Sequence, residues 1–161
     1  MAVANIFPNS QDRGEGFGGK ASTIFCKCYL ADNFPPDATE SNILLTTLID
    51  DTNMHSNSVN PERITIGEDG FYLIIAHGRM YNAGANEYLN LKLYDNTGQQ
   101  LELLGLIRST STQTNTLCTV LYLKEHQYIY LAVYNNTGSS SSGLSGGTPT
   151  NSTISVYKLA V

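Results

Sequence analysis

The stretch ITIGEDGFYLIIAHGRMY, residues 64–81, decides the fold class of this chain. Two apolar runs flank residues 67–70, GEDG, which have the composition of a tight turn between strands. The run from residue 71 to residue 80 favours a strand, because it is rich in aromatic and branched side chains. Glu68 and Asp69 leave a second interpretation open, in which the turn is an acidic metal or catalytic loop.

Short apolar or alternating runs of this kind recur along the sequence, and no window shows a sustained 3.6-residue period with helix caps. We therefore predict almost no helix and roughly eight to ten short strands. Strands at this near-regular spacing indicate an all-β, antiparallel two-sheet sandwich or jelly roll. The final strand is expected to be held inside a sheet. The predicted strands cover residues 23–30, 43–49, 64–66, 71–80, 88–94, 100–107, 116–123, 127–134 and 154–161.

The sequence divides into an extended N-terminal arm, residues 1–21, and a β-domain, residues 22–161. The arm contains the polar, glycine-rich run NSQDRGEGFGGK, which has no hydrophobic periodicity. Such a segment is disordered alone or becomes ordered only against a partner. A second low-complexity run, NNTGSSSSGLSGGTPTNS at residues 135–152, predicts a mobile loop.

The composition argues against several classes of protein. The 161 residues carry a formal net charge of −5, whereas a nucleic-acid-binding protein needs clustered lysine and arginine. No apolar run is long enough to span a membrane, and the N-terminus lacks an export pattern, so we expect synthesis and assembly inside a cell. Cys26 and Cys28 share one face of a strand, a poor arrangement for a mutual disulfide, which favours free thiols in a reducing compartment.

The motifs that could carry chemistry are incomplete. Residues 14–20, GEGFGGK, nearly match a phosphate-binding loop, but Ala21 stands where serine or threonine should hold magnesium. Glu68 and Asp69 offer too few oxygens for calcium, and the three histidines show no metal-ligand spacing. We therefore expect no metal, no cofactor and no enzymatic activity. The alternative left open is a catalytic nucleophile, base and acid that are distant in the sequence and come together only in the folded chain.

Ten tyrosines and no tryptophan make the aromatic composition unusual. In residues 127–134 the side chains of Ile129, Leu131 and Val133 face one way and the tyrosines face the other. Tyrosine combines a large apolar ring with a polar tip and is enriched at protein interfaces. A sheet face rich in tyrosine therefore favours burial against another subunit. The predicted subunit interface consists of Tyr72, Tyr88, Tyr122, Tyr128, Tyr130 and Tyr134.

The order of these elements resembles the complement-type and tumour-necrosis-factor-like jelly-roll family. In residues 64–81 a short strand leads through a glycine turn into an aromatic-rich strand, and Gly70, Phe71 and Tyr72 match the family pattern G-x-Y. LYLKEHQYIYLAVYNN is similar to the family's leucine, short polar turn and alternating strand, and STISVYKLAV resembles its closing strand. The resemblance covers about residues 22–161. It implies an antiparallel sandwich that assembles as a homotrimer around a threefold axis.

The resemblance also implies a protein that acts by binding rather than by catalysis. Because no export signal or stalk pattern is found, the expected setting is a bacteriophage virion assembled in the host cytoplasm. The first hypothesis is a trimeric capsid decoration (cement) protein whose arm binds the major capsid protein or another virion protein. The alternative is the receptor- or glycan-binding head of a phage fibre, with residues 50–61 and 135–152 as its tip. The arm residues expected to contact the partner are Ile6, Phe7, Arg13, Phe17 and Lys20.

Overall fold

A computed structural model describes residues 25–32, 40–50, 52–81, 88–107, 113–136 and 143–159. Regular structure in these ranges is all strand, which confirms the predicted fold class, and they contain no helix that could cross a membrane. The predicted arm, with Ile6, Phe7, Arg13, Phe17 and Lys20, lies outside the described residues. The strands are β1 (Phe25–Leu30), β2 (Glu40–Asn42), β3 (Leu45–Asp50), β4 (Arg63–Thr65), β5 (Gly70–Tyr81), β6 (Tyr88–Asp95), β7 (Gln100–Ile107), β8 (Gln113–Leu123), β9 (Tyr128–Asn136), β10 (Gly143–Leu144) and β11 (Thr153–Lys158).

One sheet, called sheet A, has six antiparallel strands in the order β8–β5–β11–β1–β3, with β10 also paired to β5. Its long strand β5 lies within the stretch ITIGEDGFYLIIAHGRMY, residues 64–81. Along one edge β5 pairs with β8, and along the other it pairs with β11 and then with β10. Because β11 lies between β5 and β1, the closing strand is held inside the sheet, as expected.

The other sheet, called sheet B, has the order β2–β9–β6–β7, and β4 also pairs with β9. Alternation along β9 decides which side chains enter the core. Ile129, Leu131 and Val133 are at most 3% exposed, whereas the tyrosines of β9 lie on the outer face. The two faces predicted for this strand are therefore confirmed.

The core lies between the inner faces of the two sheets. Sheet A contributes alternate residues of β1 and β5, and sheet B contributes those of β6 and β9. Full burial of one large aliphatic side chain is worth about 1.5–3 kcal/mol, so this layer dominates the stability of the fold. The core side chains of these four strands with no exposed area are Cys26, Cys28, Leu30, Tyr72, Ile74, Ala76, Met80, Leu91, Leu93, Ile129 and Leu131.

The glycine-flanked turn at residues 67–70 connects two sheets rather than two paired strands. β4 pairs with β9 in sheet B, whereas β5 belongs to sheet A. Glu68 forms an ion pair with Lys158, and Asp69 accepts a hydrogen bond of 2.7 Å from the backbone N–H of Glu125. The acidic residues therefore fasten this crossover to neighbouring elements. In the ranges described, no three metal-binding side chains come together.

Part of the run predicted to be a mobile loop is packed instead. β10 pairs with the end of β5, and Leu144 is fully buried. The Arg79 guanidinium donates a hydrogen bond of 2.6 Å to the side-chain oxygen of Asn151, and Ser152 is also fully buried. The composition of residues 143–152 alone indicates a loop, but contacts with distant strands hold Leu144, Asn151 and Ser152.

Candidate subunit interface

The outer face of sheet A carries a continuous set of apolar side chains. Successive strand residues point to opposite faces, so Phe71, Leu73 and Ile75 lie outside while Tyr72 and Ile74 lie in the core. A strand that is apolar on both faces is typical of a sheet covered on both sides. Within one chain, only the inner face of β5 is covered by sheet B.

Most of the strongly exposed large hydrophobic residues in the described ranges lie on this face. Eight such residues are at least 37% exposed, and five of them come from the outer face of sheet A. An exposed apolar patch of this kind more often marks a surface that binds another molecule than a surface that stays in solvent. The five residues are Ile49 of β3, Phe71 of β5, Val120 and Tyr122 of β8, and Tyr157 of β11.

Two aromatic pairs hold rings of this face in place. The rings of Phe25 and Tyr157 are stacked, with centroids 4.4 Å apart and planes 15° apart. The rings of Phe71 and Tyr122 meet edge to face at 5.3 Å and 73°. Side chains that are already ordered lose less conformational entropy when a partner covers them, so these pairs prepare the face for association.

The middle of the face is formed by small side chains. Here β11 contributes Thr153 and Ser155, which are 6% and 7% exposed. Larger residues on the neighbouring strands shield them: Lys27 of β1 and Ile75 of β5 are the direct partners of Ser155.

One end of the face is more polar. His77 Nδ1 and the Thr116 hydroxyl lie 2.8 Å apart across the β5–β8 pair. Cys118, the direct partner of Ile75 on β8, is an exposed free thiol. The thiol therefore lies within the candidate interface, where its reactivity can report whether that face is covered.

The structure separates the tyrosines that were predicted to form one interface. Tyr72 is fully buried between the sheets and donates a hydrogen bond of 2.7 Å to the Glu68 carbonyl, which corrects its assignment to a subunit interface. Tyr122 lies on the outer face of sheet A. The side chain of Tyr88 is outside the described part of the structure. The remaining three, on the outer face of sheet B, are Tyr128, Tyr130 and Tyr134.

Sequence reasoning missed four apolar residues of the sheet A face: Ile49, Phe71, Val120 and Tyr157. A usable signal was present in FYLIIA, residues 71–76, where no polar residue alternates with the apolar ones. Such an unbroken run indicates a strand covered on both faces.

The outer face of sheet B has a different chemistry, dominated by tyrosine rings. The rings of Tyr94 and Tyr130 are stacked at 5.3 Å with planes 14° apart, and the Tyr128 ring lies 6.3 Å from that of Tyr130. The Arg63 guanidinium carbon is 4.2 Å from the centre of the Tyr128 ring, a cation–π contact. These tyrosines are half-buried.

An ion pair crosses β9 on the same face. Lys92 of β6 donates a hydrogen bond to Glu40 of β2 and lies 5.9 Å from the centre of the Tyr134 ring. The contact with Glu40 raises the pKa of Lys92. Burial raises the pKa of Glu40, but hydrogen bonds from Lys92 and Tyr94 outweigh burial and hold that pKa below its ordinary value. Both groups are therefore charged at neutral pH and neutralise each other.

The potentially reactive groups near β1 are enclosed. The Sγ atoms of Cys26 and Cys28 lie 3.6 Å apart with no exposed area. The hydrogen bond with Cys26 lowers the pKa of Cys28 to about 6, whereas the same contact and burial raise the pKa of Cys26. The His55 ring lies 2.7 Å from the Thr47 hydroxyl and 3.0 Å from the Pro61 carbonyl. A substrate in solvent does not reach these thiols, so the cluster supports the core.

Comparisons with known proteins were made by sequence and by structure. No protein-family model matches the chain, and no curated protein matches it in sequence. Murine APRIL superimposes with a TM-score of 0.64 at 10% identity, over 84% of this chain and 98% of its own. The globular domain of zebrafish complement 1qA protein gives a TM-score of 0.63 at 12% identity, over 86% and 98%. The fold is a tumour-necrosis-factor-like and complement-type jelly roll.

A third similar structure is Eiger TNF from S. frugiperda, with a TM-score of 0.61 at 14% identity, covering 86% of this chain and 93% of its own. All three likenesses are at low identity and concern the fold alone. They agree with the resemblance detected from the order of strands in the sequence, including the jelly-roll strand β5 and the closing strand β11.

Proposed function

We propose that this chain is a non-enzymatic binding protein that associates with copies of itself through the outer face of sheet A. The observation that carries the proposal is the concentration of five exposed large hydrophobic residues on that face. A homotrimer around a threefold axis is the assembly that the jelly-roll resemblance implies.

The dimensions of sheet A suit a stable interface. At a strand spacing of about 4.8 Å, its order β8–β5–β11–β1–β3 gives a width of roughly 24 Å. The 12 residues of β5, at about 3.3 Å each, extend for roughly 40 Å. A specific interface buries about 800 Å² per partner, which a face of this size can supply.

The test is the mass of the purified full chain in solution, by sedimentation equilibrium, with the variants Val120→Glu and Val59→Glu. We expect an oligomer for the unchanged chain and for Val59→Glu, since Val59 is 65% exposed but lies in the loop before β4 and not in a strand of sheet A. Val120→Glu should dissociate it, because association would bury an unpaired carboxylate. A monomeric unchanged chain, or an oligomer that tolerates Val120→Glu, would contradict the proposal.

At a finer level, we propose that the trimer is a decoration protein of a virion, with the major capsid protein or another virion protein as its partner. The support comes from the sequence: a polar, glycine-rich arm and the jelly-roll resemblance. Ordering an arm costs about 1–2 kcal/mol per residue, so it would order only on a matching surface. Deletion of residues 2–20 should leave a trimer that no longer binds capsids. Retained capsid binding would exclude this role for the arm.

A second candidate is the receptor- or glycan-binding head of a fibre. The observation that favours it is the tyrosine-rich outer face of sheet B, where Tyr128 and Tyr130 pair with β4, the strand that follows the loop of residues 53–60. Saturable binding to host cells that survives deletion of residues 2–20 would favour the head. Binding to capsids that is lost when the arm is deleted would favour the decoration protein.

A further inference from the structure

A cavity of about 270 Å³ lies between β4 and the loop that precedes it. Its polar lining consists of amide, hydroxyl, imidazole and guanidinium groups, with Val59 and Met54 as apolar walls. Binding sites for small ligands combine a mostly preformed concave shape with a few convergent polar groups. The polar lining residues are Asn53, His55, Ser56, Asn60, Arg63 and Thr65.

The loop that forms this cavity is held in place from three directions. The Asp50 carboxylate accepts hydrogen bonds from the backbone N–H groups of Met54, at 3.0 Å, and His55, at 2.8 Å. The His55 ring contacts the Thr47 hydroxyl and the Pro61 carbonyl, and the side-chain oxygen of Asn57 accepts a bond of 2.8 Å from the Thr47 N–H. A ligand therefore meets a preformed loop, which reduces the entropy cost of binding.

The cavity continues onto the tyrosine face of sheet B. Arg63 and Thr65 line the cavity, and they are also the direct cross-strand partners of Tyr130 and Tyr128. The guanidinium group of Arg63 lies against the Tyr128 ring at 4.2 Å. One surface thus joins a polar hollow to aromatic rings, an arrangement that offers hydrogen bonds and an apolar contact side by side.

The charges on this surface are compensated within the chain. Arg63 lies 2.9 Å from the Glu62 carboxylate, and Lys92 is paired with Glu40. The surface therefore presents hydrogen-bonding groups and rings without an excess of either charge. This balance favours an uncharged ligand over an anionic or cationic one.

We propose that the cavity, together with Tyr128 and Tyr130, binds a neutral oligosaccharide. The hydroxyl groups of a sugar would exchange hydrogen bonds with the amides of Asn53 and Asn60 and with Arg63, and its C–H face would pack on the Tyr128 ring. The inference rests on the proposed function in one respect, since association through sheet A leaves sheet B open to solvent. Several copies in one oligomer would raise a weak single-site affinity by multivalency.

The experiment titrates the full chain with neutral methyl glycosides of glucose, galactose, mannose and N-acetylglucosamine, and with their oligomers, by ¹H–¹⁵N NMR. We expect saturable binding of at least one neutral saccharide in the millimolar range. Tyr128→Ala and Asn60→Gly should each weaken it by roughly tenfold or more, because a ring contact and an amide are lost. Asn60 has a φ of 51°, so glycine keeps the backbone and removes only the amide side chain.

Matched controls are Tyr134→Ala, at the far end of β9, and Asn96→Gly, on the exposed turn after β6. Both variants should bind the same saccharide with the affinity of the unchanged chain. Arg63→Lys keeps the charge but loses the planar stack, and it should weaken binding while leaving the fold intact. The variant Val120→Glu separates the two proposals. It should dissociate the oligomer and keep single-site binding, whereas an oligomer that persists in a variant that still binds the saccharide would support the sugar site and contradict the proposed interface. The inference would be overturned by any of three results. These are that the chain binds none of the neutral saccharides, that it binds only sialyllactose or heparin fragments, or that Tyr128→Ala binds as well as the unchanged chain.

Discussion

Phe71 and Tyr122 are direct cross-strand partners whose rings meet edge to face at 5.3 Å, yet these residues are 42% and 52% exposed. The next residue after Phe71, Tyr72, points the other way and is fully buried in the core. Two tyrosines on paired strands of one sheet thus occupy opposite environments. Their substitution separates the stability of the fold from the association of subunits.

We expect Tyr72→Ala to destabilise the fold by about 3–5 kcal/mol, because it removes a large buried ring and leaves a cavity. Tyr122→Ala should change the free energy of unfolding of the single chain by only about 0.5 kcal/mol while weakening self-association. Urea unfolding in the Val120→Glu background measures the first effect, and sedimentation equilibrium in the unchanged background measures the second. If Tyr122→Ala lost more stability than Tyr72→Ala and left self-association unchanged, the sheet A face would not be the interface.

The three cysteines should differ sharply in their reaction with a thiol reagent. Cys26 and Cys28 have no exposed area, whereas Cys118 is exposed on the outer face of sheet A. We expect one thiol per chain to react quickly in the dissociated Val120→Glu variant, and all three to react in denaturant. In the associated chain the reaction of Cys118 should be slower, since the interface covers it. Equal rates for Cys118 in the two folded forms would place it outside the interface.

Gly146 and Gly67 form a matched pair for testing the packed segment after β10. A Cβ on Gly146 would lie 2.0 Å from the Asp32 carbonyl oxygen, whereas a Cβ on Gly67 would meet nothing within 4 Å. We expect Gly146→Ala to cost about 1–3 kcal/mol or more, because backbone must move. Gly67→Ala should stay within about 0.5 kcal/mol of the unchanged chain. Thermal unfolding of both variants measures the difference, and equal midpoints would contradict the packing of this segment.

Asp95 holds the turn between β6 and β7 and predicts a dependence of stability on pH. Its Oδ1 accepts hydrogen bonds from the Thr97 N–H at 2.9 Å, the Thr97 hydroxyl at 2.7 Å and the Gln99 N–H at 3.0 Å. Burial raises the pKa of Asp95, but these bonds outweigh it and hold the pKa below its ordinary 3.8. The stabilisation is therefore complete above about pH 4 and is lost as pH falls through the folded-state pKa.

The variant Asp95→Asn should lose about 1 kcal/mol at neutral pH, since an amide oxygen is a weaker acceptor than a carboxylate. The difference from the unchanged chain should shrink below pH 4, where the native carboxyl becomes protonated. Asp69→Asn is the control, because that exposed carboxylate accepts one backbone bond and should matter less. Denaturant unfolding at several pH values measures both, and a difference that is independent of pH would refute the role given to the Asp95 charge.

The strands could be predicted from sequence because their signals are local. Alternation in β9 places Ile129, Leu131 and Val133 on one face and the tyrosines on the other. Residues 95–98 form a turn, which Gly98 permits because it adopts a φ of 78°. The packing of residues 143–152 could not be predicted in this way. Its contacts, such as the bond from Arg79 to Asn151, join residues 72 positions apart.

The sequence by itself determined the fold class and the alternation of faces along each strand, because strand propensity and the two-residue period act between near neighbours. It also contained the unbroken apolar run of β5, a sign that both faces of that strand are covered. Only the tertiary structure decided which sheet each face belongs to. The pairing of β5 with β8 and β11 buries Tyr72 between the sheets. It also places Phe71, Val120, Tyr122 and Tyr157 on one outer face. The sequence does not show such a patch, because its residues come from strands that are distant in the chain.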